Sequence, residues 1–219
     1  MDAFVPPAAE SFVPPAADET LEEARARNVR DALREDVGTG DRTAWLVPPG
    51  LAVARVRVRE AAVLCGREWF EGCFRALDPA VVVSWGYDEG ADVAPDTTVC
   101  EVRGDARALL TAERSALNFL QLMSGTATVT RRHVRAIESA SPNPRGCAVL
   151  DTRKTIPGLR QAQKHAVRVG GGTNQRVALW DGILIKENHV TAAGGVAAAL
   201  AAAEALQAGV PIQVEVERL

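Results

Sequence analysis

Arg153 and Lys154 stand side by side in the stretch "CAVLDTRKTIPGLR" (147–160), just after an apolar run and just before a Pro-Gly turn. Adjacent cations at a strand end repel one another, and an anion held between them relieves that repulsion. Arginine suits a planar carboxylate because its fork donates two parallel hydrogen bonds, whereas lysine is a mobile point charge for carboxylate or phosphate. A plainer reading pairs Asp151 with Arg153 or another neighbour and needs no ligand. The surroundings favour a ligand. From Asp151 to Glu187 the cations Arg153, Lys154, Arg160, Lys164, Arg168, Arg176 and Lys186 face only Asp151, Asp181 and Glu187. In a chain of formal net charge −3, such a local excess reads as a concave anion site, not as a face for nucleic acid or an anionic membrane.

Further candidates sit at the ends of two later apolar runs. Lys186, with Asn188 and His189, closes "GILIKENH", and Glu215 and Glu217 lie in "IQVEVE". A lysine buried at the end of an apolar strand needs a partner or a ligand. His189 is either a general acid or an ordinary hydrogen-bonded histidine. Glu215 and Glu217 fall on one strand face, where they could hold Mg²⁺, stabilise a developing cation or neutralise the basic cluster. Gly170-Gly171-Gly172 could cradle phosphate through backbone N–H groups or end a helix.

The elements that must position these groups fall into two textures. Residues 1–17 repeat "FVPPAA" and are expected to be a disordered Pro-rich tail, with a docked arm as the alternative. Thr20 with Glu23 fits a capping box, and Leu21, Val29 and Leu33 follow at helical spacing. "EDVGTGDRT" is turn chemistry. In "ARVRVRE" Ala54, Val56 and Val58 are expected to face inward, with Arg55, Arg57 and Arg59 outward, either simply solvated or supporting an anion site or a subunit contact. "VVVSWGY" and "TTVCEVRG" read as further strands, so this part is expected to be an α+β layer with one open sheet. A long helical stretch follows from about Ala106, with a break expected near Ser124-Gly125-Thr126. After Cys147 the order becomes strand "CAVLD", a helix over 159–169, strand "GILIKEN", an Ala-rich helix and strand "IQVEVE". Alternating units of this kind imply parallel strands with helices outside, and in such sheets functional side chains gather at the strands' C-terminal ends.

The 219 residues suffice for a sizeable core. No apolar run is long enough to span a bilayer, and no basic-then-apolar leader opens the sequence. Cys65, Cys73, Cys100 and Cys147 lack metal-site spacing and are expected to be reduced core residues of a cytoplasmic protein.

Five motifs occur together and in order: "LREDVGTGDRT", "LLTAERSALNFLQLMSGTAT", "DTRKTIPGLR", "KHAVRVGGGTNQR" and "ILIKENHV". From about residue 20 onward the chain resembles the quinolinate phosphoribosyltransferases, also called nicotinate-nucleotide pyrophosphorylases (carboxylating). The resemblance implies an α/β fold, with an N-terminal α/β sandwich over 18–124 and an incomplete, TIM-like α/β barrel over 125–219. It implies transfer of phosphoribosyl from phosphoribosyl pyrophosphate to quinolinate with Mg²⁺, giving nicotinate mononucleotide, pyrophosphate and CO₂. A homodimer is implied too, with the sandwich domain of one subunit over the barrel mouth of the other.

On the matching positions, Arg153, Arg176 and Lys186 would bind the two quinolinate carboxylates, with Thr152 and Gln175 beside them. Lys154 would touch either substrate, and Arg114 would reach the partner's site. Glu215 would lie near the ribose and the metal. Two positions depart from the family pattern: Gln175 replaces a histidine in "N-H-R", and Trp180 in "VALWD" adds bulk. The family pattern also continues past Leu219 with further strands, a second acidic residue and phosphate-binding loops. A shortened barrel is therefore expected here. It leaves open an inactive relative that binds a pyridine dicarboxylate or only dimerises, as Gln175 leaves open a transferase for another ring acid.

Overall fold

The computed structural model describes residues 19–140 and 146–216. The Pro-rich tail and Glu217 lie outside them. Thr20 Oγ1 accepts the Glu23 N–H at 3.2 Å while the Glu23 carboxylate accepts the Thr20 N–H at 2.9 Å. This reciprocal cap starts α1 (Leu21–Val37), which buries Val29 and Leu33. After the "GTGD" turn come β1 (Leu51–Arg57), β2 (Ala62–Val63), α2 (Arg67–Leu77), β3 (Val82–Trp85), β4 (Asp92–Val93) and β5 (Thr98–Asp105). Strands β1, β5 and β3 form an antiparallel sheet in that order, and β2 pairs with β4.

The register explains the alternating arginines. Val56, Cys100 and Trp85 share the inner face, whereas Arg55 lies opposite Glu101 on the outer one. Arg55 pairs with Glu101 at 3.0 Å and Arg57 with Asp96 at 3.1 Å. Both arginines are exposed within the chain, as the solvated reading expects. Two details differ from the sequence expectation. Ala54 is exposed because β1 is an edge strand, and a bulge after Val56 ends β1 before Arg59.

Helix α3 (Ala106–Ala140) runs unbroken for 35 residues, against the break expected at Ser124–Thr126. The Ser124 hydroxyl accepts the Cys65 N–H and donates to the Cys65 carbonyl, both at 3.0 Å. Thr126 and Thr128 donate to carbonyls one turn back. A lone glycine costs a helix about 1 kcal/mol. Burial of Ala112, Ala116, Phe119, Leu120, Met123 and Ala127 along one stripe outweighs that. These side chains join Trp69, Phe70, Cys73 and Phe74 of α2 in the main core.

The remaining elements are α4 (Arg160–Val169), β6 (Ile183–Ile185), α5 (Glu187–Ala193), α6 (Val196–Ala205) and β7 (Ile212–Val214). Strands β6 and β7 are parallel neighbours, with Ile185 opposite Val214. The fold is α/β: an antiparallel layer with helices, then parallel β/α units. "CAVLD" forms no extended ladder. It makes one parallel bridge, Leu150 to Thr173, flanked by Thr173 N–H to Val149 O at 2.8 Å and Asp151 N–H to Thr173 O at 3.1 Å. "IQVEVE" stops as a strand at Val214, so Glu215 lies just beyond the strand. The glycine triplet closes α4, where Gly170 donates to the Ala166 carbonyl at 2.9 Å. A Cβ on Gly170 would meet the Ala127 carbonyl of α3 at 2.6 Å, so the glycine permits a close helix approach. Cys65, Cys73 and Cys100 are core residues, but Cys147 is exposed, on a segment that packs against neither hydrophobic cluster. Among the described residues no helix is long and apolar enough to cross a membrane.

Candidate active site

Asp151 is the pivot that brings the basic segments together. Its carboxylate accepts from Lys164 Nζ at 2.5 Å, from Asn174 Nδ2 at 2.6 Å and from the Gln175 N–H at 2.9 Å. Lys164 also donates to the Gln175 carbonyl at 3.1 Å, and its side chain and that of Asp151 are only 2% and 6% exposed. A buried charge pair persists only when its remaining hydrogen-bonding positions are filled, as they are here. The pair staples the segment carrying Arg153 to the loop carrying Arg176. Asp151 thus has a structural partner, but it is Lys164, not Arg153.

That arrangement leaves Arg153, Arg160 and Arg176 close together, and none makes an ion pair among the described residues. Arg160 donates to Thr155 Oγ1 at 3.2 Å, to the Val177 carbonyl at 3.2 Å and to the Arg153 carbonyl at 3.5 Å. Arg176 donates to the Gly182 carbonyl at 3.0 Å. Arg153 is the least satisfied, because its Nε is buried with no hydrogen-bond partner. Burial, then the charges of Arg176 and Arg160, hold its guanidinium below the ordinary arginine value, partly offset by Asp181. Burial alone would raise the Asp181 carboxyl. The N–H groups of Val177 and Ala178, at 2.6 and 2.9 Å, and the charge of Lys164 instead leave it below the usual carboxylate range. A buried, unpartnered guanidinium donor among like charges is an arrangement that an anion would satisfy.

The second part of the site is set by the parallel register. Lys186 follows β6 and Glu215 follows β7, and Lys186 Nζ lies 3.1 Å from the Glu215 carboxylate. Lys186 is not buried as its apolar strand suggested, since its side chain is 45% exposed. The chain leaves the strand at Lys186 and enters α5, which lifts the side chain to the surface. His189 caps that helix: its Nδ1 accepts the Lys186 N–H at 2.9 Å, the ordinary hydrogen-bonded role. Gln175 Nε2 donates to Gln213 Oε1 at 2.6 Å, and Thr152 Oγ1 accepts the Lys154 N–H at 3.0 Å. The side chain of Lys154 is exposed and makes no ion pair, and Arg114 on α3 is likewise exposed with no hydrogen bond or ion pair among the described residues.

Sequence reading missed three contributors. Lys164 and Arg160 were visible only as members of a basic run, and Asp181 only as one of its few acids. Asp151, a carboxylate ending an apolar run, was the available signal that a buried cation must meet it.

Against known proteins, residues 41–124 match the family model described as the N-terminal domain of quinolinate phosphoribosyl transferase, and 126–219 match that of its C-terminal domain. The two matches meet within α3. The nicotinate-nucleotide pyrophosphorylase [carboxylating] of Mycobacterium leprae is 41% identical over 206 residues, covering 90% of this chain and 69% of that protein. Quinolinate phosphoribosyltransferase [decarboxylating] 1 of Nicotiana glauca is 39% identical over 172 residues, 77% of this chain and 47% of its own. The solved nicotinate-nucleotide pyrophosphorylase of Francisella tularensis superposes with a TM-score of 0.84 at 43% identity, over 90% of this chain and 69% of its own. The chain therefore spans about half the length of the plant relative and about two thirds of the bacterial ones. With both domain models matched in order and a relative of this identity covered over most of its length, the chain belongs to the quinolinate phosphoribosyltransferase family.

Proposed function

We propose that this chain carries out phosphoribosyl transfer from phosphoribosyl pyrophosphate to quinolinate, giving nicotinate mononucleotide, pyrophosphate and CO₂. The observation that supports this most is the buried, unpartnered Nε of Arg153 within a cluster of three arginines that makes no ion pair among the described residues. A pyridine dicarboxylate supplies two anions on a rigid ring. Arg153 and Arg176 would take them, with Thr152 and Gln175 beside the ring and Lys186 at its far side. Lys154, exposed and without an ion pair, would swing between carboxylate and phosphate.

The charges suit the chemistry. As pyrophosphate leaves C1 of the ribose, positive charge grows on the sugar, and the Glu215 carboxylate would stabilise it. The pyridine nitrogen forms the new bond to that carbon and becomes cationic. The ring then accepts the electron pair of the adjacent carboxylate's C–C bond as CO₂ departs, and a proton takes its place. Mg²⁺ fits this site as a partner of one exposed carboxylate plus substrate phosphates, which is its usual donor set. Glu215 would hold it, and it would supply charge neutralisation on the leaving group. Glu215 is paired with Lys186, so substrate and metal would compete for each half of that pair.

A homodimer fits the same reading, with Arg114 on an exposed face of α3 reaching into the partner's site. Buried thiols at Cys65, Cys73 and Cys100 suit the reducing cytoplasm. Incubation with quinolinate, phosphoribosyl pyrophosphate and Mg²⁺ should release pyrophosphate and CO₂ in equal amounts, and neither without quinolinate. Binding of quinolinate without release of either would instead mark a non-catalytic pyridine-dicarboxylate binder.

A further inference from the structure

Away from the arginine cluster, Cys65, Glu89 and His165 converge from three separate segments. Cys65 lies between β2 and α2, Glu89 between β3 and β4, and His165 within α4. Their sulfur, carboxylate and ring-nitrogen atoms all lie within 4.8 Å of one another, and Glu89 Oε1 is 3.2 Å from His165 Nε2. Bonds of about 2.0–2.3 Å in a tetrahedral ion place neighbouring ligand atoms about 3.3–3.8 Å apart, so only small side-chain adjustments are needed. A thiol, an imidazole and a carboxylate form a donor set for zinc-like ions, not for the hard Mg²⁺ ion.

The surroundings hold two of the three ligands in place. Glu89 accepts the N–H groups of Gly66 and Arg67 at 2.8 and 3.2 Å, and Trp69 backs the His165 ring at a centroid distance of 5.5 Å. Such outer contacts orient metal ligands. Glu89 and His165 also wall a cleft of about 610 Å³, whereas Cys65 is fully buried behind them. Solvent can therefore reach one side of the cluster and supply a fourth ligand. No step of the proposed transfer uses these residues.

We propose that Cys65, Glu89 and His165 bind one divalent transition-metal ion of the zinc type, with water from the cleft as fourth ligand. Binding exchanges the thiol proton for the metal. The thiol gives up H⁺ to solvent, sulfur keeps the bonding pair and donates it to the ion, and nothing is oxidised or reduced. The bound ion would tie α4 to the N-terminal end of α2, joining the two parts of the fold.

Cobalt(II) is the direct probe, titrated into the reduced, metal-free full chain. One equivalent should bind, with the visible bands of a tetrahedral ion and a near-ultraviolet sulfur-to-cobalt charge-transfer band. Cys65→Ser should abolish the charge-transfer band, and His165→Gln, at the cleft wall, should abolish stoichiometric binding. Cys147→Ser removes the exposed thiol and should leave both signals intact. Zinc should raise the unfolding temperature of the wild type and of Cys147→Ser but not of His165→Gln. The proposal is overturned if no cobalt binds stoichiometrically, if the spectrum survives Cys65→Ser, or if Cys147→Ser removes it.

Discussion

Arg153 differs from its neighbours in what its nitrogens touch. Arg160 and Arg176 donate to neutral carbonyls of the local backbone, which fixes their positions without cancelling their charge. Arg153 leaves a buried donor unused. Arg153 was legible because it follows an apolar run where a strand end belongs, whereas Arg176 was singled out only by the resemblance to the family motif. The sequence did not reveal Lys164 as the partner of Asp151, since that contact depends on how α4 docks against a loop 11 residues further on, at Gln175. Removing one member of this buried pair strands the other charge, which typically costs about 3–5 kcal/mol. Lys164→Met or Asp151→Asn alone should therefore lower stability in urea unfolding by about that much. The double replacement should cost less than the two single losses added together, because no lone charge remains. Additive losses would show that the two side chains act independently.

At the scale of elements, Glu89 shows how one side chain can start a helix from outside it. It is not in α2, yet it accepts the N–H groups of Gly66 and Arg67 at that helix's first turn. Burial alone would raise its carboxyl. Hydrogen bonds from His165, Gly66, Arg67 and Cys65 outweigh that and leave it below the usual value of 4.5. A carboxyl depressed in the folded state stabilises the protein above its unfolded value. That contribution is lost as the pH falls through the folded value. Glu89→Gln should thus lower stability at neutral pH and flatten the loss of stability below about pH 4.5, read by unfolding across pH. An unchanged acid limb would contradict this assignment. Gly170→Ala should destabilise by about 1–3 kcal/mol in the same assay, since the new methyl group meets a backbone carbonyl. Helix α1 was legible from its cap and spacing, and β1, β3, β5, β6 and β7 from the composition of their runs. The two-residue strands β2 and β4 were not. "CAVLD" has a strand's composition, but it pairs at a single bridge, and pairing is a tertiary property.

At the scale of the whole molecule, the outer face of the first sheet aligns Val53, Arg103 and Val82 in one row, with Val53 and Val82 each more than half exposed. Leu51, two residues before Val53 on the same strand face, extends this apolar surface. The proposed dimer makes a test that does not depend on knowing which face is buried. If Arg114 completes the partner's site, Arg114→Ala and Arg153→Ala should each lack transferase activity. Mixing them under subunit exchange should then restore about a quarter of the wild-type sites, by the pairing rule for a two-fold dimer. No recovery, with exchange verified, would place Arg114 in its own subunit's site or in none. Sequence motifs revealed the family, while the spacing of the candidate anion receptor became visible only when three segments were folded onto Asp151. The most direct test of that receptor is calorimetric titration of the wild type and Arg153→Ala with quinolinate alone. The wild type should bind, and the variant should bind more weakly by about 2–5 kcal/mol, the usual penalty for a buried carboxylate left unpaired. Equal affinities, or no wild-type binding at millimolar quinolinate, would contradict the account.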